Sequence, residues 1–170
     1  METAQFKELL FETAIFVRAA DGKMNEDNIR EIQSYSKIAS YFKDLDCDRI
    51  MADLLAKLRT NHEHAMEVYF HRLREAELTL IQELLILEII MRMMHVTEAP
   101  SQREIEFLKS VRTRLKVYNE IILERFGEVD YLVNKKYADV KETEEENYLE
   151  EMRSPDLMKF NDVDLNDTKI

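Results

Sequence analysis

Residues 9–32 read LLFETAIFVRAADGKMNEDNIREI and decide the fold, because they encode a helix, a turn and a second helix. Apolar residues recur at three-and-four spacing and predict a first helix over residues 4–20 with one buried face. Gly22 suits the turn, because glycine adopts positive φ without steric cost. Asn25 is expected to cap the second helix, with two acidic residues facing the positive end of the helix dipole. The stretch therefore predicts a helix-turn-helix unit.

A second unit of the same kind follows 76 residues later. Ser101 and Glu104 form the Ser-x-x-Glu pattern of a capping box, which predicts a helix that runs to about residue 115. When Asn25 is aligned on Ser101, the apolar positions coincide without a gap: Leu10 with Ile86, Ala14 with Ile90, Val17 with Met93, Ile29 with Ile105 and Ile32 with Leu108. We therefore predict two related helix-turn-helix units packed about a pseudo-twofold axis.

Further helical patterns complete the bundle. Either Asp44 or Asp46 is expected to begin a third helix, and Asn61 to cap a fourth in which Val68 faces the core. Residues 77–96 are apolar nearly all round, which is typical of a central buried helix, and one or two short helices follow the capping-box helix. Two glycines and two prolines in 170 residues are too few for the tight turns that would connect strands. The chain therefore predicts an all-α, compact bundle of about seven helices.

Composition limits the classes of function. A net charge of −11 disfavours nucleic acid, because phosphate backbones are bound by clustered Lys and Arg. Cys47 is the single cysteine, which excludes an intramolecular disulfide and a multi-thiolate zinc site within the sequence. The amino terminus lacks the basic region of a signal peptide, and the longest apolar run, residues 84–94, is too short and too charged to span a membrane. We therefore expect a cytoplasmic protein with no membrane insertion, whose partner is a protein, basic where it meets the acidic surface.

The composition changes near residue 137. Residues 137–170 hold eleven acidic and four basic residues, and residues 139–147 contain almost no apolar side chain. We interpret residues 1–136 as a helical domain and residues 137–170 as an acidic carboxy-terminal extension. An apolar cluster in the extension is predicted to dock on a partner, on its own domain or on a neighbour: Tyr148, Leu149, Met152, Leu157, Met158 and Phe160.

The motif Ala-Asp-Gly-x-x-Asn-Glu at residues 20–26, preceded by an apolar helix and repeated at long offset, resembles the TerB-like helical domain family. That family includes the tellurite-resistance protein TerB and the amino-terminal domains of DjlA-type co-chaperones. The resemblance covers about residues 5–135 and implies a bundle of about seven helices. It also implies an acidic face that binds metal or serves for docking, and a stress-related role. The second turn departs from the motif, because Thr97 occupies the position equivalent to Asp21.

A divalent cation is one hypothesis for the first turn. Asp21, Asn25, Glu26 and Asp27 could supply oxygen ligands to calcium or magnesium. The segment lacks the D-x-[DN]-x-[DN]-G spacing of a calcium loop, and the same residue types are preferred in any turn between helices. Turn formation and helix capping are therefore the alternative interpretation.

Glu12 and Glu88 are equivalent under the 76-residue offset, and each lies in an apolar helix. Two facing carboxylates could share a proton or a metal. Arg92 follows Glu88 by four residues, so an ordinary ion pair is the simpler interpretation.

The fourth helix carries a polar face with four regularly spaced residues: His64, Glu67, His71 and Glu75. Imidazoles and carboxylates at this spacing can hold zinc or iron, and pairing along a solvated helix face explains the same pattern. His95 is expected to act as a cation near the end of the central helix or as a polar core residue. Methionines 91, 93 and 94 are interpreted as core filling or as an adaptable docking groove.

The sequence favours a non-enzymatic, TerB-like interaction module, because no nucleophile with a base and no phosphate loop is visible. The alternatives are a divalent-cation-binding protein that uses the Asp21 turn, and an acidic inhibitor or immunity-type protein that masks a basic partner. A divalent cation is accordingly the one cofactor considered.

Overall fold

The computed structural model describes residues 1–22, 24–94 and 99–133. These residues form α-helices and no strand. The helices in chain order are α1 (Thr3–Ala19), α2 (Glu26–Ile38), α3 (Cys47–Thr60), α4 (His62–Glu75), α5 (Leu80–Met94), α6 (Gln102–Arg112), α7 (Asn119–Phe126) and α8 (Asp130–Val133), with a 3-10 helix at Ser40–Phe42. The predicted all-α bundle is confirmed, and the described part contains seven helices of two turns or more plus the single turn α8.

Local capping explains where most helices begin. The Asn25 side chain accepts a hydrogen bond from the Asn28 N–H at 2.8 Å, and Ser101 begins α6 with the predicted capping box. Asp46, rather than Asp44, caps α3, and Asp44 instead has a positive φ of 68°.

Two helix bounds differ from the prediction. Helix α5 begins at Leu80 instead of residue 77, because Thr79 and Gln82 exchange backbone-to-side-chain hydrogen bonds and cap it there. Helix α6 ends at Arg112 instead of residue 115. The predicted end of α5 at residue 96 lies outside the described residues, as do His95, Thr97 and the whole extension with its apolar cluster.

The two central helices are α1 and α5, which pack against each other. Helix α2 packs on α1, and α6 packs on both α1 and α5. The start of α2 at Glu26 and of α6 at Gln102 preserves the 76-residue offset, and the equivalent residues Ile32 and Leu108 are both fully buried. The two related units are therefore confirmed in helix order and burial, while the pseudo-twofold axis stays a prediction.

Burial departs from the prediction on α4. Ala65, Tyr69 and Leu73 form a narrow buried stripe at four-residue spacing, whereas Val68 is 45% exposed. Val68 lies one position before Tyr69, so it falls about 100° around the helix from the stripe. The methionines at positions 91, 93 and 94 are buried, which confirms core filling for them.

Candidate functional site

An open apolar surface lies between α3 and α4. These two helices are joined by one residue, Asn61, whose side chain accepts a hydrogen bond from the His64 N–H at 3.1 Å and so caps α4. His62 donates from Nε2 to the Ala19 carbonyl oxygen at 2.7 Å, which ties the start of α4 to the end of α1. These two contacts hold α3 and α4 as a helical hairpin that packs against α1.

The hairpin leaves a hollow of about 450 Å³, here called the α3–α4 groove. This volume falls in the range of about 300–1,000 Å³ that is usual for ligand pockets. Its floor consists of four buried apolar residues: Phe16, Leu54, Ala65 and Tyr69. The exposed side chain of Val68 lines the same groove, so apolar surface continues from the floor to solvent.

The polar groups in the floor are engaged in packing. The Tyr69 hydroxyl lies 2.9 Å from the Thr13 hydroxyl, which donates in turn to the Leu9 carbonyl oxygen. Burial raises the pKa of Tyr69 strongly, so its phenol stays protonated. The aromatic rings of Phe16 and Phe107 pack against Tyr69, with centroids 4.6 and 5.8 Å away. The floor is therefore a rigid apolar surface.

The edge of the groove carries basic side chains. Lys57, His64 and Arg72 line it, and Glu12 is the only carboxylate among the described lining residues. Arg72 Nη1 lies 2.6 Å from Glu12 Oε2, so the charges of these two residues cancel and Lys57 is the remaining charge among the described lining residues. The groove thus has an edge made positive by Lys57 in a chain of net charge −11.

A second cleft lies between the two helix-turn-helix units, and we call it the inter-unit cleft. Arg18 is buried there, with Nη2 2.8 Å from Glu31 Oε2 and Nη1 3.0 Å from Glu104 Oε1. Glu104 Oε2 also accepts the Ser101 N–H, and the Ser101 hydroxyl donates to Asp21 Oδ1 at 2.9 Å. A continuous polar chain therefore connects α1 and the first turn to the start of α6.

The predicted cation ligands divide between capping and surface pairing. Asp21 accepts from Ser101, and Asn25 caps α2. Glu26 and Asp27 form exposed ion pairs with Arg30 on α2. Asp21, Asn25 and Asp27 line the inter-unit cleft, whereas Glu26 is not among its described lining residues. Within residues 1–22, 24–94 and 99–133, no group of three His, Cys, Asp or Glu side chains is arranged to hold a metal.

Replacing Ser101 by alanine is expected to cost more stability than replacing Asn25 by alanine. Both variants lose a helix cap worth about 0.5–2 kcal/mol, but Ser101→Ala also leaves Asp21 without its hydroxyl donor from the other unit. Urea unfolding of the two variants measures the difference. Equal losses would show that the Ser101–Asp21 contact contributes nothing beyond the cap.

Glu12 and Glu88 do not act as a carboxylate pair in the described structure, because each is engaged by arginine. Glu12 pairs with Arg72, and Glu88 lies 2.5 Å from Arg92 and 2.7 Å from Arg125. The interpretation of Glu88 and Arg92 as an ion pair is confirmed.

The four polar residues on α4 are all exposed, as expected for a solvated face. His64 Nδ1 lies 3.9 Å from Glu67 Oε2, and His64, Glu67 and His71 line a shallow hollow of about 320 Å³ beside Val68. Glu75 is not among the described residues of that hollow.

Glu83 is a buried carboxylate that sequence reasoning missed. It accepts backbone N–H hydrogen bonds from Lys116 at 2.9 Å and Val117 at 2.7 Å. Burial raises the pKa of Glu83 to about 7, and this effect exceeds the lowering by the two hydrogen bonds and by Arg112. The signal in the sequence is an acidic residue within the apolar α5, although nothing local identifies its partners.

Comparison with known protein families, with characterised proteins and with solved structures finds no match. None of the described helices α1–α8 combines the length and the apolar character needed to cross a membrane.

Proposed function

We propose that this chain is a non-enzymatic interaction module whose α3–α4 groove binds a short apolar segment of a partner protein. The observation that carries the proposal is the apolar floor that remains open to solvent and continues onto Val68, which is 45% exposed. A concave, mostly apolar hollow of this volume with a few polar groups at its edge is typical of binding sites. The polar groups of the groove support binding over catalysis, because Tyr69 and Glu12 are committed to Thr13 and Arg72.

The charge of the groove defines the partner segment more closely. Lys57 on its edge favours an acidic residue beside the apolar ones, since complementary charges favour association. The acidic surface elsewhere suits the basic partner that composition predicts. The TerB-like resemblance and a tellurite-resistance-like, stress-related role are kept as proposals that rest on the motif at residues 20–26.

Neither alternative is favoured by a specific contact. A cation in the inter-unit cleft would lie near the buried guanidinium of Arg18, which already pairs with Glu31 and Glu104. An inhibitor of a basic enzyme would depend mainly on the negative extension, where eleven of the acidic residues lie. Both stay predictions of the sequence.

Peptide binding tests the proposed function. Peptides selected from a random library on the full-length chain are expected to bind the groove, and Val68→Glu is expected to weaken them by about tenfold or more. A carboxylate placed at the lip would lose hydration against the apolar segment, and about 1.4 kcal/mol of that cost gives a factor of ten.

The matched control is Ile38→Glu. Ile38 is a β-branched helix residue that is 48% exposed, and it does not line the groove in the described structure. Both variants add one negative charge, so a general charge effect would weaken binding equally. The proposal fails if the library yields no binding peptide even when the groove is accessible. It also fails if the selected peptides bind Val68→Glu as tightly as they bind Ile38→Glu.

A further inference from the structure

Three features of the described structure bear on what occupies the α3–α4 groove. Its floor is apolar, its edge is positive, and Val68 presents apolar surface at the lip. An occupant should therefore combine large apolar side chains with nearby carboxylates. The chain carries such a segment itself.

Residues 144–160 of the extension have this chemistry. The segment alternates acidic residues with the apolar cluster that begins at Tyr148 and ends at Phe160. Leu149 and Met152 are three residues apart, and Leu157 and Met158 follow the acidic Asp156. Residues 137–170 carry eleven of the chain's acidic residues, so the extension is attracted to a positive edge on an otherwise acidic molecule.

One helix connects the start of the extension to the groove floor. Helix α8, after which it starts, packs on α6, and Phe107 of α6 stacks on Tyr69 in the groove floor with centroids 5.8 Å apart. Residues 134–143, which precede the docked segment, could span up to about 33 Å at about 3.3 Å per residue. A domain of this size has a radius of gyration of about 14 Å, so the linker is more than twice that radius and brings a large part of the domain surface within reach.

We propose that residues 144–160 occupy the α3–α4 groove of their own chain and compete there with the partner segment. A tethered segment acts at an effective concentration of order millimolar, which exceeds the concentration of a second copy in dilute solution. Occupation within one chain is therefore favoured over exchange between copies. The competition rests on the proposed function of the groove, whereas the docking itself does not.

Photo-crosslinking tests the docking in the full-length chain. With p-benzoylphenylalanine in place of Phe160, irradiation is expected to join the extension to groove residues such as Leu54, Ala65 or Val68. Val68→Glu should reduce the yield by about tenfold, as a lip carboxylate repels the acidic segment, and Ile38→Glu should leave it unchanged. Crosslinks that map away from α3 and α4 would overturn the proposal.

A mixture of isotope-labelled and unlabelled chains distinguishes the source of the segment. Crosslinks within one isotope class support occupation by the same chain, whereas crosslinks between classes show that a second copy supplies the segment and overturn the proposal. Retained folding of Val68→Glu is checked by its unfolding midpoint, and the exposed position of Val68 makes the substitution compatible with the fold.

Competition is tested with the double variant Leu157→Glu and Phe160→Glu. Selected peptides are expected to bind this variant about tenfold more tightly than the wild-type chain, because the competing segment no longer docks. Unchanged affinity would overturn the competition. If crosslinks map to the groove but the double variant binds no peptide, the docking stands and the proposed function fails. If the double variant binds peptide but crosslinks map elsewhere, the docking fails and the proposed function stands.

Discussion

Replacing Arg18 by alanine is expected to destabilise the fold by about 3–5 kcal/mol, which is the usual cost of removing one partner from a buried ion pair. The side chain of Arg18 is only 4% exposed and forms ion pairs with both Glu31 and Glu104. Glu104 is itself 6% exposed, so its carboxylate would remain in the interior without the guanidinium. Urea unfolding monitored by circular dichroism measures the loss.

Arg30→Ala is the matched control, because Arg30 also faces two carboxylates, Glu26 and Asp27. These three side chains are 68–90% exposed, and exposed pairs contribute little. Arg30→Ala should therefore change the free energy of unfolding by less than about 0.5 kcal/mol.

Combining Arg18→Met with Glu104→Gln tests the cause of the loss. Methionine removes the buried cation and glutamine removes the buried anion while retaining a capping side chain for the Ser101 N–H. The double variant should be more stable than Arg18→Ala, since no buried charge is left unpaired next to the capping box. A loss below about 1 kcal/mol for Arg18→Ala would contradict the argument, as it would show that water hydrates Glu104.

The parts of the fold that sequence predicts well depend on neighbours along the chain. Asn25, Asn61 and Ser101 each cap a helix through an N–H three residues away, so the pattern carries the contact. The buried pairs at the 76-residue offset can also be predicted from the sequence, because helical periodicity determines which face is buried.

The groove could not be predicted, because it depends on how two helices meet. Val68 was assigned to the core from its apolar character, yet it lies beside the buried stripe and borders the hollow between α3 and α4. Arg18 and Glu83 were missed for a related reason. Their partners lie 86 and 33 residues away, so an apolar helix interrupted by a charge indicates a buried ion without indicating what satisfies it.

Glu83 makes the stability of this fold depend on pH. The pKa of this carboxyl is about 7 in the folded chain, compared with an ordinary value of 4.5, so the folded state binds its proton more tightly than the unfolded state. The stabilising contribution is complete below pH 4.5, is lost as pH rises towards 7, and stays absent above it. A difference of this size corresponds to about 3 kcal/mol.

Glu83→Gln is expected to remove this dependence. The glutamine oxygen can still accept the Lys116 and Val117 N–H groups, but it carries no titrating proton. The free energy of unfolding of wild type minus that of the variant should therefore fall by up to about 3 kcal/mol between pH 4.5 and pH 8. Subtracting the variant cancels the titration of the other carboxylates and of the four histidines, which are the same in both chains.

Hydrogen exchange shows which part of the structure responds to the titration of Glu83. The Lys116 and Val117 amides lie in the connection between α6 and α7 and are held by Glu83 alone among the described acceptors. Because ionising a buried carboxylate is costly, opening of this connection to water should become easier above pH 7. The protection of the two amides against exchange should therefore fall in wild type but not in Glu83→Gln. If the free energy of unfolding instead changes with pH in the same way for both proteins, Arg112 and the two N–H groups keep Glu83 ionised throughout. Protonation of Glu83 then contributes nothing to the stability of the fold.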